Sequence, residues 1–367
     1  MAHEQNISCE DVANKTARLQ MLGYQVLGST PTPGMPGFCT LRFLSPAPAP
    51  AIQGPLAPLQ QMTAKAIINI LETSEVLGKY GQVTVIEDDS GHLTFGRSQT
   101  TLSTGNLGSL IGKYCSAPGA RFSSRLQVYL PKLKDKLTEL DNDPRLHNLL
   151  RATADDPVMR KVQDEFFDKA YWQPALAKAA QMRICSALGI AVVYDGTVHG
   201  SWELIRDRTV QQYGEIGAAV SEQNWIAGYI KIRREWLANH ERPDLRRTVY
   251  RMDEFQKLVQ HDSWPLELPL LVRTREISLT SLLAAPPDCY DGPALGSRPL
   301  AVTTPFTRGA DVRLVQLGLS DAGIPVMADG VYGKGSAAAV RQYQAANGLA
   351  SSDVIDKGLI MRIAESS

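Results

Sequence analysis

The sequence predicts a mainly α protein of the α+β class: a large helical body carrying a small β-hairpin or sheet, followed by a separate small helical domain. Three observations predict it. Apolar residues recur at helical spacing through most of the central segment, residues 83–96 alone are rich in β-formers, and two Pro- and Gly-rich breaks divide the 367 residues. A chain of this length exceeds one ordinary compact domain, so two or three are expected.

Taken in order, residues 17–26 (ARLQMLGYQV) and 38–44 suit a helix and a strand. Residues 45–58 (SPAPAPAIQGPLAP) alternate Pro with small residues, which favours an extended linker. Ala64, Ile67, Ile68 and Leu71 share a helix face that ends near Glu72. In 83–96 (VTVIEDDSGHLTFG), β-formers flank the turn-like Asp88-Asp89-Ser90-Gly91. Ala175, Ala179, Met182 and Leu188 trace a stripe through one longer helix. After the second break (AAPPDCYDGPALGSRP), residues 308–349 read as two amphipathic helices joined by a Gly-rich loop. The expected division is an N-terminal segment and linker at 1–58, a body at 59–284, a linker at 285–299 and a C-terminal domain at 300–367.

Composition excludes several function classes. Lys plus Arg equals Asp plus Glu at 38 each, so no net field steers the chain toward nucleic acid or an anionic membrane. The apolar run 188–194 is too short to span a bilayer, and no membrane insertion is expected. Five cysteines without a CxxC pair, and the absence of HExxH, give no support for a zinc site, and no metal or cofactor is expected. Residues 1–15 contain Glu4, Glu10 and Asp11 and no apolar core, so no secretory signal is read there.

Glycosidic hydrolysis needs an acid on the leaving oxygen and a base or nucleophile on the other sugar face. Glu72, closing an apolar helix, is expected to be partly buried and held protonated; Asp89, in a polar turn, is expected to stay ionised. Glu75 and Asp88 are the alternates if the register is displaced. Asp195, ending an apolar helical stretch, is costly unless paired, and Arg233 and Arg251 are its candidate partners. No nucleophile context surrounds Cys115 or the histidines.

These blocks resemble glycoside hydrolase family 46, the chitosanases, whose fold is lysozyme-like with two lobes. The resemblance runs from about Thr63 to Leu268 through LETSEVLGKYGQVTVIEDDSGHLTFG, FFDKAYWQPALAKA, LGIAVVYDGTVHG, YIKIRREWL and YRMDEF. It implies Glu72 as general acid, Asp89 as general base, and Thr94 as the hydroxyl placing the attacking water. It also implies an Arg251, Asp195, Arg233 network behind the acid, with inversion and carboxyl groups about 6.5–9.5 Å apart. Tyr80, Arg97 and Asn106 are the candidate substrate contacts. Asn106 stands where the family carries an Asp, and an amide pairs with an acetamido group rather than an ammonium.

Residues 308–349 resemble the peptidoglycan-binding domain of wall hydrolases, with landmarks Val312, Leu314 and Leu317, then 329–333 (DGVYG), then Ala338, Val340 and Tyr343. A weak binder fused to a hydrolase raises its local concentration on an insoluble polymer. The expected activity is therefore cleavage of peptidoglycan glycan strands, in the manner of a muramidase. The alternatives are a chitosanase and a non-catalytic wall-binding protein. Such an enzyme is made in the cytoplasm and acts in the periplasm or outside the cell. Delivery is expected through a phage lysis system or a secretion machine as an antibacterial effector, with an immunity protein or a machine component as partner.

Overall fold

Most of the helices bury an apolar face, and several start after a Ser, Asp or Gly N-cap. The computed structural model, which describes residues 2–21, 24–44, 56–86, 91–97 and 99–365, is mainly helical with small antiparallel sheets, as expected. It divides into two compact units, Met1–Leu77 with Ala170–Ala284 and Gly78–Lys169 with Ala285–Ser367.

In the first unit, strands Ala2–Ser8, Phe38–Leu44 and Gln25–Pro31 form an antiparallel sheet with Phe38–Leu44 in the centre. Helix Val12–Met21 packs its Leu19 with Ile7, Tyr24, Leu41, Phe43 and Leu283. A Cys9–Cys39 disulfide closes one end of the sheet, while Cys115, Cys185 and Cys289 are free thiols. The sheet is larger than the helix and strand expected there. Val26 falls in a strand rather than in the helix, and it pairs with Phe43.

Helix Pro58–Thr73 starts with Pro at its first turn and buries Ala64, Ile67, Ile68, Ile70 and Leu71. It stops at Ser74, whose left-handed backbone (φ 61°) returns its N–H to Ile70 O. The stripe expected to run through one helix is split in two. Gln173–Gln181 ends, Arg183 turns left-handed, and Ser186 caps a new helix, Ala187–Val198, by accepting from Gly189 N. Glu222 secures this start by accepting from Cys185 N and Ser186 N, each at 2.9 Å. Residues 187–196 are all buried, because a helix apolar on every side must be enclosed. At Gly196 a Cβ would lie 2.6 Å from Tyr229 Oη, so only glycine admits helix Glu222–Ala238 this close. Trp172, Trp202 and Trp225 are fully buried core.

In the second unit, Val83–Thr84, Thr94–Phe95 and Thr100–Thr101 form a three-stranded antiparallel sheet, with Thr84 opposite Thr94. The two flanks of the expected hairpin do pair. Helices Pro144–Thr153 and Pro157–Phe167 each carry a capping Asp followed by Pro, Asp143 and Asp156, which accept from Leu146 N and Val158 N.

Helix Ala310–Asp321, the first of the C-terminal domain, has two apolar faces. Val312, Val315 and Leu319 join Tyr332, Val340, Tyr343, Ile360 and Ile363 in the module's own core. Leu314 and Leu317, expected in that same core, pack instead with Leu107, Leu146, Leu150 and Met159. Between the two faces Arg313, only 2% exposed, donates to Asp155 Oδ1 (3.0 Å), Arg151 O (2.8 Å), Asp288 O (2.7 Å) and Asp329 O (3.1 Å). Asn148 adds bonds to Ser320 Oγ, Val326 O and Ala328 N. In the stretch 285–299, Cys289 packs on Tyr80 and Ala154, and Tyr290 N donates to Asp155 Oδ1.

Breaking a buried pair by removing one partner leaves an uncompensated charge and costs about 3–5 kcal/mol. Arg313→Ala is therefore expected to lower the unfolding free energy by roughly that amount, followed by circular dichroism in urea. A change below about 1 kcal/mol would show that Arg313 is not the connection described.

Candidate active site

A chain of charges runs from a buried carboxylate to an exposed one, all within the first unit. Asp195, with no exposed surface, lies in the last turns of Ala187–Val198. Its Oδ2 accepts from Arg233 Nη1 at 2.6 Å, and its Oδ1 accepts from Arg251 Nε at 3.0 Å and from Arg251 Nη2. Arg251, in the first turn of helix Tyr250–Gln260, then places Nη1 2.9 Å from Glu72 Oε1 and 3.3 Å from Leu71 O. Arg233 and Arg251 carry two positive charges against the single negative charge of Asp195, and Glu72 Oε1 faces the outer of the two arginines. Burial alone would raise the Asp195 pKa, but the charges of Arg251 and then Arg233 outweigh it and hold it below the usual carboxylate value.

His199 completes the inner end. Its Nδ1 lies 3.2 Å from Arg233 Nη2, and since a guanidinium only donates, Nδ1 is the acceptor. Burial, then the charges of Arg251 and Arg233, push its pKa down to about 4, so the ring is neutral above that. His199 is the C-cap residue of helix Ala187–Val198. Its position four residues after Asp195 was the available signal for the second role.

Glu72 itself is not buried: its side chain is 40% exposed, contrary to the partial burial expected of it. It lies at the helix end, where the carbonyls need partners, and several side chains supply them. Tyr250 Oη donates to Leu71 O at 2.7 Å, and Arg275 Nε donates to Ser74 O at 2.9 Å. Glu75, the alternate acid, pairs with Arg275 Nη2 at 3.5 Å and takes no part in the Asp195 chain.

The other expected residues lie in the second unit. Asp88 and Asp89 fall outside the described residues. Thr94 is 9% exposed and donates through Oγ1 to His92 O at 3.1 Å. Asp141, which the sequence did not single out, holds this strand by accepting from Leu93 N and His92 Nδ1, both at 2.7 Å. Tyr80 and Arg97 meet on Asp164: Tyr80 Oη donates at 2.7 Å and Arg97 forms an ion pair. Burial pushes the Tyr80 phenol pKa up. Asn106 stands apart, exposed, as the first residue of helix Asn106–Cys115, whose N-cap is Gly105. Among the described residues no cluster of three His, Cys, Asp or Glu suits a metal ion, and no helix is long and apolar enough to cross a membrane.

Residues 66–270 match the family described as "Glycosyl hydrolase family 46", and residues 308–360 match "Putative peptidoglycan binding domain". A chitosanase of Bacillus subtilis strain 168 is 27% identical over 233 residues, 59% of this chain and 83% of that protein. The crystallised family 46 chitosanase of Gynuella sunshinyii, in complex with chitotetraose, superposes with a TM-score of 0.51 at 24% identity, over 61% of this chain and 99% of that one. A mutant chitosanase from Bacillus subtilis MY002 gives 0.49 at 25% identity, over 61% and 98%.

Two measurements test the network. Asp195→Ala strands two buried guanidinium groups and is expected to cost about 3–5 kcal/mol of unfolding free energy. The network's own contribution to the acid side of the stability profile should separate into two windows. His199, depressed from 6.5 to about 4, withdraws stability as pH falls through that interval. Asp195, depressed below 3.8, withdraws it only at lower pH. His199→Gln should flatten the dependence between pH 6.5 and 4 in urea titrations. An unchanged slope would remove His199 from the network.

Proposed function

The chain belongs to glycosyl hydrolase family 46, and from that premise we propose that it cleaves β-1,4 bonds in an amino-sugar polymer with Glu72 as general acid. The observation that carries this reading is the buried Asp195–Arg251 pair ending on Glu72 Oε1. Arg251 cannot swing away, because two of its nitrogens are fixed on Asp195, so the Glu72 carboxyl is held at the helix end in one orientation. A carboxyl placed this way delivers its proton to the leaving oxygen. Asp89 then activates water from the opposite face and Thr94 helps to place it, inverting the anomeric carbon.

Chitosan is the polymer favoured by the relatives, since both the curated protein and the solved structures are named chitosanases. A second reading, peptidoglycan glycan strands, is favoured by the C-terminal domain at 308–360. That domain shares one compact unit with residues 78–169, so a wall-binding module would be built into the same body as a catalytic segment. In this second reading the enzyme acts in the periplasm or outside the cell, delivered by lysis or by a secretion machine, and an immunity protein would protect its producer.

Glu72→Gln keeps the shape and removes the proton. Polymer cleavage should fall by about 10²–10⁴-fold with the circular dichroism unchanged. Mass spectrometry of the products from chitosan and from purified sacculi separates glucosamine oligomers from muropeptides. Product release equal to wild type on every polymer would contradict the acid role of Glu72.

A further inference from the structure

At the end of the matched family segment, strands Leu270–Val272 and Arg275–Ile277 form a tight antiparallel hairpin with Val272 opposite Arg275. Val272 and Ile277 are fully buried, which fixes the hairpin, while Arg273, Thr274 and Arg275 at its tip are exposed. Glu254 Oε2 accepts from Arg273 N at 2.7 Å and holds the turn, where Arg273 is left-handed (φ 53°).

Both arginines of this tip reach the helix end that carries Glu72. The Arg273 guanidinium lies over the Tyr250 ring, Cζ 4.3 Å from its centre, and Tyr250 Oη is bonded to Leu71 O, the residue before Glu72. Arg275 is bonded to Ser74 O, two residues after it, and shares a long 3.5 Å contact with Glu75. Two nearby carboxylates are engaged elsewhere, Glu72 with Arg251 and Glu254 with Lys257 and Arg273 N, while Glu276 is exposed next to Arg275 in the strand. Among the described residues Arg273 has no carboxylate partner, and a stacked guanidinium keeps its in-plane N–H edge available for one. Glu75 and Glu276 offset the charge of Arg275, so the Arg273 guanidinium is the group at this tip placed to attract a carboxylate and to disfavour an ammonium.

We propose that the Arg273–Thr274–Arg275 hairpin tip recognises carboxylate substituents of the substrate, selecting an anionic amino-sugar polymer over a polycationic one. The proposal rests on the glycosidase reading and assigns it a substrate charge. Peptidoglycan offers such carboxylates from two sources, the lactyl group of peptide-free strands and the stem peptides of intact strands.

The test measures binding in the Glu72→Gln background, so that it does not depend on turnover. Three soluble probes are used: peptide-free glycan fragments, peptide-bearing fragments and a glucosamine hexamer. Arg273→Gln should weaken binding of one or both carboxylate-bearing probes about tenfold, the loss expected for one charge-assisted hydrogen bond. Which probe suffers identifies the carboxylate source. Arg273→Glu should weaken them further and tighten the glucosamine hexamer, with both effects shrinking at high salt. Equal effects on all probes, no effect on any, or binding of the hexamer alone would overturn the proposal. Cleavage of glucosamine oligomers by the Glu72-intact protein, together with any of those results, would leave the glycosidase reading standing. No cleavage of any polymer would count against that reading.

Discussion

The whole candidate site depends on one buried carboxylate. Asp195 has no solvent contact, so its charge is tolerable only because Arg233 and Arg251 occupy both of its oxygens. That requirement fixes three helices together: Ala187–Val198 supplies the carboxylate, Glu222–Ala238 one arginine and Tyr250–Gln260 the other. It also fixes Glu72, since the Arg251 nitrogen facing it is positioned by the Asp195 bonds behind it. Such a pair adds no more to net stability than well-packed apolar residues of the same volume, so its value lies in holding geometry. In the function proposed above, that geometry is what places Glu72 as the acid.

A third buried arginine organises the other unit in the same way. Arg313 ties the C-terminal helix to Asp155 and to three carbonyls, and Leu314 and Leu317 continue the contact as packed apolar surface. A module on a flexible linker raises local concentration and nothing more. One packed by an ion pair and a continuous core presents its outer surface in a fixed orientation to residues 78–169.

Much of this was legible in the sequence where burial constrains chemistry. A carboxylate at the end of LGIAVVYDG must be paired, and the arginines of YIKIRREWL and YRMDEF were the available partners. The paired flanks of the hairpin followed from the β-formers around its turn. Other features were hidden for physical reasons. The break at Arg183 depends on a left-handed residue and on the Ser186 cap, neither of which interrupts the apolar spacing at 175–188. Leu314 and Leu317 have the spacing of a single core face, yet the helix packs on two sides. Glu72 follows an apolar run but points away from it, because the helix ends within a turn. The arginine-tipped hairpin leaves almost no periodic signal, its strands being three residues each.

The central claim is that Arg251 acts on catalysis through Glu72. A double-mutant cycle tests this most directly, comparing kcat/KM for Arg251→Lys, Glu72→Gln and the two combined on one cleavable polymer. Residues that act as a unit lose their contributions together. The account predicts that Arg251→Lys slows the wild-type enzyme substantially but adds little once Glu72 is already Gln. Additive losses in the double variant would mean that Arg251 and Glu72 work independently, and the chain from Asp195 to the acid would not be what positions it.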